Sequence, residues 1–556
     1  MLNLLEKIKS RPLQLSMVAF NFMVALWIGV FLNIAFLKQI QELTPYDGGK
    51  AYVFLAATVC VLVALYNLIL QLLNWQWTLK LFSILLLIIG GFSAYFVSSL
   101  GVLISPDQIQ NMMQTDVSEV SDLLSLRFLL WAIGVVLLPI GLISWVKIKP
   151  QAFSTLLLGK LISVGASVVV ILSLLFVFYV DYAAIFREHR EIKGMISPQN
   201  AIASTFSYFH KKAPKKDLAL IRYGEDAHRI EMTSVQQPKL MLLVVGETAR
   251  AESFSLNGYA RNTNPELAKQ ADVINFNQVS SCGTATAVSL PCMFSGMPRK
   301  QYDEQLASHR EGLLDLAQRA GYKVTWIDNN SGCKGVCDRV ENYVIPEPIK
   351  QKWCSGKNSD RECFDGILVD GLQDYIAKIP ANDRSPRLIV LHQSGSHGPA
   401  YYKRAPKAFQ PFQPSCDSNA IQGCSKQQLI NVYDNSIFYT DHVLNQLIEV
   451  LKQQDHYRTA FWYLSDHGES TGERGMYLHG APYAIAPSQQ THIPMLMWFS
   501  KPWQQSDFTQ VNCLLKQKTT NLSHDNLFPS LLALLDVKSS VINENNDMLQ
   551  LCGPQS

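Results

Sequence analysis

The sequence predicts an α-helical membrane domain of five spans followed by an exported α/β domain. The chain has 556 residues, more than the roughly 100–200 of one ordinary domain, so at least two domains are expected. Only 17% of the residues are charged, against roughly 25% in soluble proteins. The formal charge of +3 and the lack of a long basic run exclude nucleic acid as the default partner and favour a membrane.

Five apolar stretches predict the membrane spans. Each contains about the 20 apolar residues that cross a hydrocarbon core. They are residues 15–37, 52–73, 80–104, 123–146 and 156–186. A cleaved signal peptide is the alternative for the first stretch, but its apolar run is too long and no small-residue cleavage site follows it.

Charged residues between the stretches predict their orientation, because basic residues favour cytoplasmic loops. Basic residues mark three of the ends: Lys7, Lys9, Arg11, Lys80, Lys147, Lys149 and Lys160. Acidic residues mark the loops on the other side: Glu42, Asp47, Asp107, Asp116, Glu119 and Asp122. With an odd number of spans, everything after residue 186 is therefore expected to be exported.

The cysteines support export independently. Ten of the eleven lie after residue 280, and eight of them form close-spaced couples: Cys282/Cys292, Cys333/Cys337, Cys354/Cys363 and Cys416/Cys424. Such couples indicate disulfides formed in an oxidising compartment. Structural zinc is the alternative, but no CxxC spacing is repeated. Cys513 and Cys552 are candidates for a fifth bridge, and Cys60 is alone inside a span.

Three regions follow from this pattern: a membrane domain at 1–186, a bridge at 187–236 and an α/β domain at 237–556. In the polar bridge, Ile202, Phe206 and Phe209 recur at helical spacing, as in an amphipathic helix lying on a membrane. A solvated linker is the alternative.

The last region alternates predicted strands and helices, which indicates a mainly parallel sheet. Buried strands are expected at residues 240–245, 322–327, 387–391, 460–464 and 493–499, with a long helix at 429–451. Polar clusters follow four of the strands: Gly246-Glu247-Thr248, Asp328-Asn329-Asn330, the segment His392–Gly398 and the segment Ser465–Glu469. Open α/β sheets bind ligands at this edge, so the clusters are expected to converge.

The clusters have the chemistry of a metal site. Glu247, Asp466 and His467 supply oxygen and nitrogen ligands suited to zinc or a similar first-row metal. His397 and His479 are candidates to bind a second metal or a phosphate. Any one of these residues alone is more simply a satisfied core or surface group. Their convergence on strand ends favours the site.

Two other polar motifs are more ambiguous. A hydroxyl in the segment 280–287 would lie at a helix N-terminus suited to phosphate, yet Thr284 and Thr286 could merely cap that helix. Thr248 is a competing nucleophile because it also follows a strand. The adjacent residues Ser523, His524 and Asp525 cannot form a catalytic triad, so a helix N-cap is the better interpretation.

Six segments together resemble the membrane phosphoethanolamine transferases that modify lipid A. They are Val244–Pro265, Ser281–Ser295 with its CGTAT motif, Asp328–Asp338, His392–Arg404, Ser465–Ser470 (SDHGES) and Tyr477–Pro487. The resemblance spans nearly the whole chain. It implies an exported domain of alkaline-phosphatase/sulfatase type, a bacterial inner-membrane location with this domain in the periplasm, and zinc as cofactor.

The resemblance also assigns roles to individual residues. Thr286 would be the nucleophile and, with Glu247, Asp466 and His467, would bind one zinc tightly, with a second zinc as an option. His397 and His479 would lie near a second metal or the substrate phosphate. Asn330 and Lys334 would lie in the substrate pocket.

The same resemblance implies a function for the second exported loop, which contains Asn111, Thr115 and Glu119. The spacing i, i+4, i+8 places Asn111, Thr115 and Glu119 on one helix face, although a solvated loop helix would show the same spacing. In the family this face completes the lipid headgroup pocket. Glu119 would then be a partner for the ethanolamine ammonium group.

The function implied is transfer of phosphoethanolamine from phosphatidylethanolamine to a phosphate of lipid A, through a phosphoethanolamine-threonine intermediate. His397 or His479 would protonate the leaving oxygen or position the acceptor. Lower negative surface charge should reduce the affinity for cationic antimicrobial peptides such as polymyxin. The alternatives are a phosphoglycerol or glycan-core phosphoethanolamine transferase on the same fold, and a non-enzymatic metal-dependent lipid sensor.

Overall fold

The structure is a computed structural model that describes residues 13–115, 117–211, 218–230, 237–355 and 362–552. Four of the charged residues used above for topology, Lys7, Lys9, Arg11 and Asp116, lie outside these ranges. The chain divides into two compact units. The first comprises residues 1–106 and 125–207, and the second comprises residues 107–124 and 208–556.

The first unit is helical. Among the described residues, four helices are long and apolar enough to cross a membrane: Gly49–Leu73, Leu79–Leu100, Leu126–Trp145 and Phe153–Val177. A fifth crossing results if the bent pair Met17–Phe31 and Ile34–Leu43 is counted as one span. The predicted helical membrane domain is thus confirmed, with four to five candidate spans.

Two of the predicted spans differ in detail. The first is bent by 55° beside the buried Asn33, whose side-chain amide donates to the Ile28 carbonyl at 2.9 Å and so competes with the helical ladder. The last predicted span was expected to run to Phe186. Its helix instead ends at Val177, and a separate helix, Tyr179–Glu188, follows with Asp181 in its first turn.

Polar side chains join the membrane helices. Asn21 donates to Gln71 Oε1 at 2.9 Å, Asn74 donates to Asn21 Oδ1 at 2.8 Å, and Asn67 donates to Ser163 Oγ at 2.9 Å. Hydrogen bonds between helices are one of the forces that associate helices in lipid, where apolar burial gives no net gain.

The predicted amphipathic segment of the bridge is helical over Gln199–Lys211. Ile202, Phe206 and Phe209 are exposed on it, as an amphipathic helix requires. A short 3₁₀ helix, Arg190–Met195, precedes it. Contact of this helix with a membrane stays a prediction, as do the limits of the three regions.

The second unit is built on a seven-stranded sheet. Its strands in chain order are β1 (Lys239–Gly246), β2 (Ile274–Phe276), β3 (Lys323–Asp328), β4 (Glu341–Asn342), β5 (Arg387–His392), β6 (Arg458–Ser465) and β7 (Met495–Phe499). Their order across the sheet is β2-β7-β6-β1-β5-β3-β4. The five strands from β6 to β4 are parallel, whereas β7 pairs antiparallel with both of its neighbours. The predicted α/β fold with a mainly parallel sheet is confirmed.

Helices surround this sheet, and the apolar strands β1, β5 and β6 are buried on both faces, as expected for a covered parallel sheet. The helices are α1 (Pro106–Gln114), α2 (Val117–Leu123), α3 (Thr286–Phe294), α4 (Glu304–Ser308), α5 (Leu313–Arg319), α6 (Glu347–Trp353), α7 (Gly366–Ala377), α8 (Lys426–Lys452), α9 (Ser488–Thr491), α10 (Lys501–Ser506), α11 (Phe508–Leu515) and α12 (Leu527–Leu534). The long α8 begins with a capping box between Ser425 and Gln428.

The cysteine couples form the predicted disulfides and not the alternative structural zinc sites. All four close-spaced couples form disulfides, and Cys513 pairs with Cys552 as the fifth bridge. Cys60 is free and exposed on its helix.

Candidate active site

Strand register brings the first site residues together. β1 and β6 are parallel neighbours in which Gly246 pairs with Ser465, so the next residues, Glu247 and Asp466, leave the sheet side by side. The Asp466 amide donates to the Gly246 carbonyl at 2.9 Å. Both carboxylates are at most 1% exposed.

Thr286 meets this pair from the start of α3. Ala285, in an extended conformation, is the N-cap, so Thr286 is the first helical residue. The Thr286 hydroxyl oxygen lies 3.1 and 3.2 Å from the two Glu247 oxygens and 3.2 Å from His467 Nε2. Thr248 is different. Its hydroxyl has no hydrogen-bond partner among the described residues, and only its amide contacts Asp466, at 3.3 Å.

The electrostatics of this cluster favour a cation. Burial, reinforced by the Asp466 charge, raises the pKa of Glu247 to about 7, and burial raises the pKa of Asp466 to about 6. Burial also lowers the pKa of His467 to about 4, so the ring is neutral. Two buried carboxylates without a compensating positive charge are costly. Asp466 Oδ2 has no hydrogen-bond partner among the described residues, and its contact with His467 Nε2 is 3.4 Å long.

The donor set fits a metal ion. One ligand atom from each of Glu247, Asp466 and His467 lies within 4.8 Å of the others, and the Thr286 hydroxyl offers a fourth donor. Oxygen and imidazole nitrogen donors in this number suit zinc. The four residues predicted as ligands are therefore brought together, in a geometry that could hold one ion.

His479 lies beside this cluster and is oriented by Glu469. The rings of His479 and His467 are 4.5 Å apart, centroid to centroid. His479 Nδ1 is 2.9 Å from Glu469 Oε2, and the Tyr401 hydroxyl donates to Glu469 Oε1 at 2.6 Å. Burial raises the pKa of Glu469 to about 8 and lowers that of His479, so one proton shared between the two groups is favoured. No hydrogen bond to His479 Nε2 is found within the described ranges, so this nitrogen is available to a substrate.

Glu469→Gln should lower kcat by up to about 10²–10⁴-fold, the range that a positioned acid or base contributes. The amide keeps one acceptor but cannot share a proton with His479 Nδ1. Tyr401→Phe is the milder control because it removes only one hydrogen bond to Glu469. Steady-state kinetics and zinc content measure the effect, and an unchanged kcat in Glu469→Gln would contradict this role.

His397 is joined to the segment 107–124 through Arg404. Its ring lies 5.1 Å from that of His479, and burial together with the nearby positive groups lowers its pKa well below the usual value. Arg404 donates from Nε to the His397 carbonyl at 2.8 Å and from Nη2 to Asp122 at 3.1 Å. Lys403 also binds Asp122, at 2.5 Å. Asp122 thus fixes α2 next to the His397 segment, a role that its sequence position does not reveal.

The predicted substrate residues are placed unevenly around the cluster. Asn330 donates from Nδ2 to Glu247 Oε2 at 2.8 Å, so it adjoins the metal ligands. Lys334 lies farther out, where its ammonium donates to Ser331 Oγ at 3.0 Å and to the Gln114 carbonyl at 3.3 Å.

The prediction that Asn111, Thr115 and Glu119 lie on one face of a single helix is wrong. α1 ends at Gln114 and α2 begins at Val117. The Thr115 hydroxyl donates to the Asn111 carbonyl at 2.6 Å, a local hydrogen bond that competes with helix continuation. The Glu119 carboxylate nevertheless lies near enough to His479 to raise its pKa, which partly offsets burial.

His524 connects the two loops that carry the site. The Cys282 amide donates to His524 Nδ1 at 3.0 Å, and His524 Nε2 donates to the Ser465 carbonyl at 2.9 Å. These contacts assign a neutral tautomer, in agreement with burial, which lowers its pKa to about 4. The N-cap interpretation of the motif holds for Ser523, whose hydroxyl accepts from the Asp525 amide, but it missed this second role of the motif.

His524→Leu should lower kcat by about 10–100-fold, because a small displacement of reacting groups is enough to cost such a factor. Leucine keeps the volume but loses both hydrogen bonds. His524→Gln, which can both donate and accept, should retain more activity. Ser523→Ala is the matched control, expected to lose about 1 kcal/mol of stability with kcat unchanged. Equal activity of the leucine variant and wild type would refute the role of His524.

Comparison with known proteins agrees with the geometry. A family model described as Sulfatase matches residues 239–537, and one described as Phosphoethanolamine transferase EptA/EptB matches residues 62–213. The chain is 42% identical to phosphoethanolamine transferase EptA of Escherichia coli (strain K12) over 99% of both chains. It is 36% identical to phosphatidylethanolamine transferase Mcr-1 of Escherichia coli over 95% of this chain and 96% of the relative.

A solved structure matches over almost the full length. The integral membrane protein lipooligosaccharide phosphoethanolamine transferase A (EptA) from Neisseria meningitidis superposes with a TM-score of 0.91 at 36% identity, over 97% of this chain and 99% of that one. Its soluble domain alone gives 42% identity over 61% of this chain and 99% of that one, with a TM-score of 0.57. The chain therefore belongs to the phosphoethanolamine transferase family, whose members join a helical membrane region to a soluble sulfatase-like domain.

Proposed function

We propose that this protein transfers phosphoethanolamine from phosphatidylethanolamine to a phosphate of lipid A through a covalent phosphoethanolamine-threonine intermediate. The observation that carries the proposal is the Thr286 hydroxyl at a helix start, 3.1 Å from Glu247 and 3.2 Å from His467. A hydroxyl so placed meets an incoming phosphate at the positive end of a helix. Family membership supplies the transferred group.

Glu247, Thr286, Asp466 and His467 would hold a zinc ion, and a second ion near His397 and His479 is an option. Bound zinc would lower the pKa of the Thr286 hydroxyl and neutralise charge on the phosphoryl oxygens. The side chains of the protein position the reacting groups. Glu247 accepts the Thr286 hydroxyl hydrogen bond and so aims its oxygen, while Asn330 fixes the Glu247 carboxylate.

The reaction proceeds in two balanced displacements. Thr286 Oγ1 gives its proton to Glu247 and bonds to the donor phosphorus. The bond from phosphorus to the glycerol oxygen breaks, and that oxygen takes a proton from His397 or His479, so the glyceride leaves as diacylglycerol. An oxygen of the acceptor phosphate then bonds to the same phosphorus. The bond to Thr286 breaks, and the threonine oxygen regains its proton from Glu247. Asn111, Thr115 and Glu119 would hold the donor headgroup, with Glu119 opposite its ammonium, and Lys334 would bind a substrate phosphate.

Lipid substrates explain why the catalytic region is attached to membrane helices. We place residues 1–186 in the bacterial inner membrane, residues 187–236 at its surface and residues 237–556 in the periplasm. The product carries a zwitterionic group in place of net negative charge, so binding of cationic peptides such as polymyxin should weaken.

A reporter fused after the last residue should behave as exported, because the charge bias of the loops favours an outside location and the five disulfides indicate an oxidising compartment. Paired fusions active only in the periplasm or only in the cytoplasm measure the location. A fusion in the predicted cytoplasmic turn near Lys149 is the control, and it should behave as cytoplasmic. A cytoplasmic C-terminus would refute the topology.

Mass spectrometry of lipid A from cells with and without the protein tests the whole proposal. The expected result is a mass increase of one phosphoethanolamine that depends on Thr286. Addition of a phosphoglycerol group, or modification of a glycan core, would favour the related transferases. Zinc and lipid binding without diacylglycerol release by the purified protein would favour a sensor.

A further inference from the structure

A cavity of about 340 Å³ lies beside the nucleophile helix in the second unit. Its walls come from α1, α3, α4 and the disulfide loop that carries Lys334. Ala287, the residue after Thr286, and Lys334 both line it, so the cavity adjoins the proposed nucleophile. The volume falls in the range of roughly 300–1,000 Å³ that small-molecule sites occupy.

The cavity walls hold a concentration of unsatisfied polar atoms. Gln110 Oε1, Gln114 Oε1, the Tyr302 hydroxyl and Arg310 Nε are all buried without a hydrogen-bond partner among the described residues. Gln110 is only 2% exposed, and its amide nitrogen donates to the Ala287 carbonyl at 3.2 Å. Buried polar groups in native proteins are normally paired, so such a concentration indicates a missing partner.

The donor and acceptor pattern restricts the chemistry of that partner. The two glutamine oxygens only accept, Arg310 Nε only donates, and the Tyr302 hydroxyl does both. A phosphate group offers mainly acceptors and an ammonium group only donors, so neither satisfies the set. Hydroxyl groups both donate and accept, and a polyhydroxylated ring presents several of them at fixed angles.

Two cations that line the cavity, Lys334 and Arg310, have no carboxylate partner among the described residues. Arg339 is already engaged by Asp315 through two contacts of 2.6 and 2.8 Å. Lys334 contacts only neutral oxygens, those of Ser331 and Gln114, within the part of the chain that the structure describes. Its ammonium can therefore pair with a phosphate attached to a ring in the cavity.

We infer that this cavity binds the sugar of the acceptor, a phosphorylated glycolipid, and that Lys334 directs the acceptor phosphate towards Thr286. The inference rests on the proposed function, since the acceptor phosphate must receive the phosphoethanolamine group from Thr286. Gln110 and Gln114 are not among the residues expected to hold the donor headgroup. The acceptor can therefore occupy the cavity while the headgroup is attached to the enzyme.

The test separates the two half-reactions in the full-length protein. Phosphatidylethanolamine alone gives a diacylglycerol burst that reports the donor half-reaction, and adding lipid A gives the acceptor KM. Ala307→Trp fills the cavity from α4, Tyr302→Phe removes one orphan hydroxyl, and Ala381→Trp on an exposed turn is the control. The acceptor KM should rise by about tenfold or more in Ala307→Trp and by about fivefold in Tyr302→Phe. The burst should be unchanged in all three variants.

Each result has one meaning. An unchanged acceptor KM in a folded Ala307→Trp protein, or in Tyr302→Phe if the tryptophan variant fails to fold, would overturn the inference and leave the cavity to water. A reduced burst with an unchanged acceptor KM would overturn it in favour of a donor site. Competition by soluble glucosamine 1-phosphate, but not by inorganic phosphate, would support recognition of the ring. A wild-type protein without any burst would instead refute the proposed function.

Discussion

Replacing Thr286 by alanine is expected to abolish transfer, with a loss of roughly 10⁴-fold or more in kcat, as when other covalent nucleophiles are removed. The substitution deletes the hydroxyl that lies within 3.2 Å of Glu247 and His467. It should leave the fold intact, because Ala285 and not Thr286 occupies the N-cap position. Thr286→Ser should keep part of the activity through its own hydroxyl, although without the methyl group its rotamer is less constrained.

Thr248→Ala is the matched control for this experiment. Its hydroxyl has no partner among the described residues, and its left-handed φ of 51° serves the turn that presents Glu247. We expect a mild loss of activity. Wild-type protein incubated with phosphatidylethanolamine and no acceptor should carry phosphoethanolamine on the peptide that contains Thr286. Label on the Thr248 peptide, or turnover by Thr286→Ala, would overturn the assignment.

Substitution of a metal ligand should remove both zinc and activity. Asp466→Ala and His467→Ala each delete a donor from a fully buried cluster. Their zinc affinity should fall by more than the roughly 10–100-fold that loss of an outer partner costs. Asp466→Asn adds a test at constant volume, since the neutral amide is a poorer ligand than the carboxylate. Elemental analysis of the purified variants measures the bound zinc.

Glu469→Gln is the control for this second experiment, because Glu469 orients His479 without belonging to the donor cluster. It should keep its zinc while it loses activity. Full zinc occupancy in both Asp466→Ala and His467→Ala would show that the ligands have been assigned wrongly.

Local rules in the sequence were enough to predict the part of the site that follows strand ends. Glu247 and Asp466 leave neighbouring parallel strands, so a correct strand prediction brings them together. His524 could not be found in this way, because its partner Cys282 is 242 residues away and an N-cap explains the same motif. The break between α1 and α2 was also hidden, since Asn111, Thr115 and Glu119 keep helical spacing across it.

The cavity was invisible in the sequence for a related reason. Gln110 and Tyr302 meet only through tertiary packing, and neither belongs to a motif with known chemistry. The bend of the first span lies beside Asn33, whose side chain makes hydrogen bonds with Ile28 and Ser197 that hydropathy does not register. The pattern of polar side chains therefore predicts the site residues at the edge of the sheet well, and the residues that line the adjoining cavity poorly.

The placement of residues 107–124 in the second unit has a consequence for biosynthesis. Gln110 contacts Ala287 across 177 residues, and Asp122 contacts Lys403 across 281. At the roughly 5–20 residues per second of translation, this segment must wait on the order of tens of seconds for its partners. The metal-binding loops can assemble entirely from later residues, so a polypeptide starting after the last membrane helix could mature its metal centre yet lack one side of the adjoining cavity. One wall of the cavity is thus synthesised well before the others, and the cavity cannot close until α3 and the loop that carries Lys334 have also been made.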